Sequence, residues 1–134
     1  MFSLVQETHG SDTTGSGSYQ TSAFGSSVTI GNTILCVVTS DGNGDDDIIT
    51  SVTDNLGNTY VKDVVQTSAT SNQRYVSIWR APVTVGGTCT ITVNFDDSQS
   101  NNSVVLAQEW SVSGGGALVL DVTTGQSAAA STSP

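Results

Sequence analysis

Short runs rich in Val, Ile and Thr recur along the chain, each bounded by a cluster of Gly, Asn, Asp or Ser, and no stretch shows the apolar spacing of an amphipathic helix. A chain patterned this way buries its apolar side chains by laying strands side by side and packing the resulting sheets together. The expected fold is all-β: a single antiparallel β-sandwich, immunoglobulin-like or jelly-roll-like. Strands are expected at 3–7, at 19–24 or 27–30, and at 33–39, 48–54, 59–67, 73–80, 88–95, 104–112 and 118–122. The turn Asp54-Asn55-Leu56-Gly57-Asn58 joins two of them with side chains that tolerate left-handed backbone.

Alternation indicates which faces are dry. Cys89, Ile91, Val93 and Phe95 share one face of their strand, opposite Thr88, Thr90, Thr92 and Asn94. In 73–80, Val76 and Ile78 alternate with Tyr75, Ser77 and Trp79. If the two aliphatic residues point inward, Tyr75 and Trp79 share the outer face about 13 Å apart, comparable with a disaccharide repeat. Trp110 shares a phase with Leu106 and Gln108, while Val105, Ala107 and Glu109 form the other, and neither phase is plainly wet. An exposed indole beside Gln108 would offer a flat ring to a sugar and an amide to its hydroxyls. Asn72, Gln73 and Arg74 could line the rim of such a site, with Tyr60 and Tyr19 as further aromatics. The alternative is that the tryptophans are core residues, their common place in a small sandwich.

The charged inventory is thin and acidic. One histidine (His9), one lysine (Lys62) and two arginines (Arg74, Arg80) stand in 134 residues of net charge −9. Phosphate binding runs on Lys and Arg, so nucleic acid and anionic membrane are not expected partners. A glycosidase needs two positioned carboxylates, but Glu7 and Glu109 are the only glutamates and the aspartates concentrate in loops. A Ser–His–Asp hydrolase would have to use His9 without a Gly-x-Ser-x-Gly turn. An intramolecular isopeptide bond would require Lys62 to be buried beside an Asn and an acid. The chain is therefore expected to bind rather than catalyse, and to be a monomer.

In the loop Asp41-Gly42-Asn43-Gly44-Asp45-Asp46-Asp47, Asp41, Asn43, Asp45 and Asp47 form an oxygen-rich set suited to a structural Ca²⁺. The loop lacks the glycine and the bidentate glutamate of an EF-hand, and a solvated acidic hairpin is its other reading. Cys36 and Cys89 each sit in an apolar strand-like run. They could form one disulfide in an oxidising compartment, or both could be small buried hydrophobes. The first residues carry neither a positive region nor an apolar stretch, so they do not read as a signal peptide. Residues 124–134 are small and polar, rich in Ala, Ser and Thr, and read as the start of a linker following a module at 1–123.

The segments Gly31-Asn32-Thr33-Ile34-Leu35, Ser51-Val52-Thr53-Asp54-Asn55-Leu56-Gly57-Asn58-Thr59-Tyr60, Ile78-Trp79-Arg80-Ala81, Gly86-Gly87-Thr88-Cys89-Thr90-Ile91-Thr92-Val93 and Glu109-Trp110-Ser111 resemble a recurrent bacterial extracellular β-sandwich over most of residues 28–122. With the linker, the chain looks like a carbohydrate-binding module of a secreted polysaccharide-degrading enzyme, similar to the family 81 modules. That resemblance implies secretion and non-catalytic binding of β-1,4-glucan, mixed-linkage glucan or xyloglucan through surface aromatics in a calcium-tolerant sandwich. Trp79 and Trp110 would carry the binding, with Tyr75 and Gln108 beside them, and a linked catalytic domain would benefit. The runner-up is a structural or adhesive sandwich with core tryptophans and a protein partner.

Overall fold

Every second residue of the segment Thr33–Asp41 is buried, from Ile34 through Cys36 and Val38 to Ser40, while Val37 and Thr39 face outward. This strand is the middle of a five-stranded sheet in the computed structural model, which describes residues 1–14, 17–41, 48–67, 74–95, 102–114, 118–119 and 121. The strands are β1 (Phe2–Asp12), β2 (Ser18–Gln20), β3 (Thr33–Asp41), β4 (Ile49–Asp54), β5 (Val61–Thr67), β6 (Arg74–Pro82), β7 (Ile91–Phe95) and β8 (Ser103–Val112). They form one sheet in the order β1-β8-β3-β6-β5 and a second in the order β2-β7-β4, with every pairing antiparallel. The fold is the expected all-β sandwich, and its core lies between the sheets: Ile34, Cys36, Val38, Trp79, Val105 and Ala107 on one side, Tyr19, Ile49, Val52, Ile91 and Val93 on the other.

The strand expected at 19–24 or 27–30 is only the short β2, Ser18–Gln20, the one expected from 88 begins at Ile91, and two others differ more. β1 runs on to Asp12 although His9-Gly10-Ser11-Asp12 carries no β signal, because β8 supplies a partner for the whole length and a bulge at Leu4/Gln6 keeps the register. Gly10 is required there: a Cβ would stand 2.6 Å from the Gln20 carbonyl oxygen. The strand expected at 118–122 is not formed at its described residues, Leu118, Val119 and Asp121. The linker expected at 124–134 lies outside the described residues.

Side chains of the 54–60 segment join the two sheets. Asp54 ends β4 in the small sheet, and its Oδ1 accepts the backbone N–H groups of Leu56, Gly57 and Asn58 at 2.9, 2.7 and 3.1 Å. Its Oδ2 accepts Asn58 Nδ2 and the Tyr60 hydroxyl, both at 2.9 Å, and the Cys89 thiol at 3.7 Å. Asn58 Oδ1 in turn accepts the N–H groups of Thr84 and Val85. Asn55 brackets the approach to β7, donating to the Thr88 carbonyl and accepting from the Thr90 N–H. The Asp54-Asn55-Leu56-Gly57-Asn58-Thr59-Tyr60 motif is thus an architectural knot, in which Asp54, Asn55 and Asn58 satisfy backbone that no strand pairs.

A second polar tie centres on a buried carboxylate. Glu109 on β8 is 0% exposed, and its carboxylate accepts Gln6 Nε2 at 2.6 Å, the Thr29 N–H at 2.8 Å and Asn32 Nδ2 at 2.6 Å. Gln6 Oε1 accepts the Ser26 N–H, which binds the 26–32 loop to the sheet. Such a carboxylate is stable in the interior only while its acceptor positions are filled. Glu109→Gln turns one acceptor into a donor facing these donors and is expected to lower stability by roughly 1–3 kcal/mol. Urea unfolding of the two proteins measures the difference, and an unchanged midpoint would mean that the carboxylate is not required.

Candidate functional site

Antiparallel register arranges the outer face of the large sheet in rows that cross its strands. The first row is Val104, Thr39 and Val76; the second is His9, Leu106, Val37, Ile78 and Val64. The third is Glu7, Gln108, Leu35, Arg80 and Val61, and the fourth is Leu4, Trp110, Thr33 and Pro82. The first two rows expose Val37, Val76, Val104 and Leu106, and the next two expose Val61 and Leu4 on the outer strands beside the polar Glu7 and Gln108.

Trp79 and Tyr75 are not on this face, which corrects the expected phase of their strand. In β6 the buried residues are Tyr75, Ser77, Trp79 and Ala81, while Val76 and Ile78 point outward. Arg74 and Arg80 share the phase of Val76 and Ile78, so burying that phase would have put two guanidinium groups in the core. Trp79 is 5% exposed, its indole N–H donates to Ser77 Oγ at 2.9 Å, and Lys62 Nζ lies 5.0 Å from the ring centroid. A ring so enclosed presents no platform to solvent.

Trp110 and Gln108 do share the outer side of β8, both partly exposed. The indole N–H donates to Gln108 Oε1 at 3.2 Å, and Gln108 Nε2 donates to Glu7 Oε2 at 3.2 Å. Beyond them the same side continues through Leu106 and Val104 to a cleft of about 390 Å³ at the end of the sheet. Thr39, Ser40, Asp41, Arg74, Tyr75, Val76, Asn102 and Val104 line it. Asp41 accepts Asn102 Nδ2 at 3.1 Å and pairs with Arg74 at 3.4 Å, and the buried Ser40 hydroxyl has no hydrogen-bond partner. The alternation of Val104, Leu106, Gln108 and Trp110 could have signalled this row; the cleft depends on strand order and had no local signal.

Asn72, Gln73, Asn43, Asp45 and Asp47 lie outside the described residues. Of the expected calcium ligands only Asp41 is described, and its two oxygens face Arg74 and Asn102. Tyr60 and Tyr19 belong to the interior: Tyr60 donates to Asp54, and Tyr19 shares a 2.7 Å hydrogen bond with Ser103 across the sheets. The two glutamates stand on opposite sides of the sheet, Glu109 buried and Glu7 exposed. They cannot flank one glycosidic bond as a hydrolytic pair.

Cys36 and Cys89 are free thiols, both fully buried in the core, which is the second of the two readings open from the sequence. Burial, then the charge of Asp54 and the hydrogen bond to it, pushes the Cys89 thiol up from 9.0 to about 12. Cys36 is raised by burial and then by Cys89 and Asp54. Burial likewise pushes Tyr19 up to about 12, against the opposing hydrogen bond with Ser103. Tyr60 is raised by burial and by the charges of Cys36, Asp54 and Cys89.

Comparison of the chain with models of known families, with curated proteins and with solved structures finds no match.

All four raised groups keep protons in the folded chain that the unfolded chain releases. Their contribution is therefore complete below the ordinary thiol value of 9.0 and is lost as pH rises through each group's raised value, about 12 for Cys89 and Tyr19 and higher still for Cys36 and Tyr60. The urea midpoint is expected to be level up to about pH 8.5 and then to fall, by up to about 1.4 kcal/mol per pH unit for each group. Cys36→Ala with Cys89→Ala should delay the onset from the thiol range near 9.0 to the tyrosine range near 10.0. A midpoint unchanged through pH 11 would refute this coupling.

Proposed function

We propose that this domain binds a neutral polysaccharide chain without catalysis, a β-1,4- or mixed-linkage glucan, along the outer side of β8. The supporting observation is the unbroken row from Trp110 through Gln108, Leu106 and Val104 into the cleft. At about 3.3 Å per residue the row spans roughly 20 Å, enough for several sugar units. The exposed part of the indole and the aliphatic side chains suit the C–H faces of a pyranose. Glu7, Gln108, Asp41, Asn102 and Arg74 supply the donors and acceptors that sugar hydroxyls need. An appended hydrolase would gain from the raised local concentration of its substrate.

A second reading, a structural or adhesive domain with a protein partner, is favoured by the burial of Trp79 and by the aliphatic side chains exposed on the outer face. Native affinity electrophoresis against barley β-glucan, xyloglucan, xylan and mannan separates the two. Retardation by the glucans is expected, with Trp110→Ala and Asn102→Ala each weakening it at least about tenfold, roughly 1.4 kcal/mol. Both variants should keep the parent's unfolding midpoint to within about 1 kcal/mol. Trp79→Ala should instead destabilise the core by roughly 3–5 kcal/mol. Equal mobility in every lane, with a folded protein, would leave the protein-docking reading.

A further inference from the structure

The outer faces of the two sheets differ in kind. On the small sheet the rows are Ser18, Asn94 and Ser51, then Gln20, Thr92 and Thr53, all polar and uncharged, as an antiparallel face turned to water reads. On the large sheet the outward phase is apolar as well as the inward one. Leu4, Val61, Val76, Val104 and Leu106 are each between 38% and 53% exposed there, around Val37 at 37% on the central strand. Scattered singly, such residues would need no explanation; gathered on one face they form a patch of the kind that marks an interaction site. The charged side chains with them, Glu7, Asp41 and Asp63 against Arg74 and Arg80, nearly cancel on a chain whose net charge is −9. The face is therefore the part of the surface least opposed to meeting another acidic chain.

We propose that two copies of the chain pack these faces together about a two-fold axis running along β3, a dimer where a monomer was expected. The strand order β1-β8-β3-β6-β5 has β3 at its middle, so this axis lays β8 over β6 of the second copy and β1 over its β5. Each row then faces the same row of the second copy in reverse order. Leu106 meets Ile78, Val104 meets Val76, and Val37 meets itself. In the third row Glu7 and Gln108 come over Val61 and Arg80, which brings a carboxylate beside a guanidinium. A two-fold across the strands would instead set Arg80 on Val76, a charge on an aliphatic side chain. Five strands at about 4.8 Å and the seven residues Thr33 to Thr39 at about 3.3 Å give a face on the order of 500 Å². Two copies bury roughly 1,000 Å², the lower limit for specific association, so the pair is weak and concentration-dependent. It covers the β8 row, so a glycan competes with it, but it forms without sugar and does not depend on that reading.

Single cysteines in the full chain test it. Val37 lies on the axis and meets its own copy, whereas the two copies of His9 stand four strand spacings apart, roughly 19 Å. The native thiols are fully buried and do not compete. At about 500 µM chain and about 0.15 M salt, which screens repulsion between the copies, diamide is expected to link Val37→Cys into a dimer at least about tenfold faster than His9→Cys. Non-reducing electrophoresis reads both rates. Sedimentation velocity of the parent should show a dimer that builds with concentration and disappears in Val37→Asp, a variant checked as folded by its urea midpoint. Equal cross-linking rates, or a parent that stays monomeric at that concentration, would overturn the pairing. In the monomeric case a Val37→Cys thiol that resists labelling would assign the face to another part of the same chain, and one that labels freely would assign it to a different partner.

Discussion

The Asp54 carboxylate is the fastening on which the sandwich depends. A two-sheet fold must carry its chain from one sheet to the other, and the connecting backbone has no ladder to satisfy it. Here β4 belongs to the small sheet and β5 to the large one, and the connection from β6 to β7 crosses back. Asp54 caps the first crossing through three backbone N–H groups and reaches Asn58, which grips the second crossing at Thr84 and Val85. Tyr60 and the Cys89 thiol close on the other carboxylate oxygen. The motif that looks most distinctive in the chain is thus occupied in holding the sheets together. It is a poor guide to ligand, because its polar atoms already have partners inside the protein.

Strand positions were legible in the sequence because period-two alternation and turn residues are local signals. Facing was less so, and β6 shows why. Both of its phases contain large apolar residues, so counting Val and Ile selects the wrong side. What decides is charge: Arg74 and Arg80 share the phase of Val76 and Ile78, and an unpaired guanidinium is far costlier to bury than a valine is to expose. A strand with arginines at both ends of one phase should be oriented by them before its aromatics are considered. Trp79 then falls into the core, where Ser77 satisfies its N–H.

β8 posed the opposite problem. Glu109 shares the phase of Val105 and Ala107, and a carboxylate there argues against burial when only the strand is read. Its donors come from β1 and from the loop before β3, Gln6, Thr29 and Asn32, each distant in sequence. Their compensation is a property of the assembled fold, invisible to any window of the chain. The cleft was illegible for the same reason. Asp41, Arg74 and Asn102 sit at the ends of β3, β6 and β8, and only the strand order brings them together.

With Trp79 withdrawn into the core, recognition of a sugar cannot rest on a pair of coplanar rings, and the kind of affinity to be expected changes accordingly. A two-ring platform stacks on a chain and is largely indifferent to which hydroxyls lie at its edge. A single partly exposed indole next to aliphatic side chains gives less stacking and leaves orientation to polar groups: Glu7 and Gln108 midway, and Asp41, Asn102 and Arg74 at the cleft. These groups already bond one another, Asp41 with Asn102 and Arg74, and Gln108 with Glu7. A ligand must exchange those bonds for its own, so only one whose hydroxyls match their spacing gains on binding. On the proposed reading, such a surface would favour discrimination over strength, as a tethered module would need.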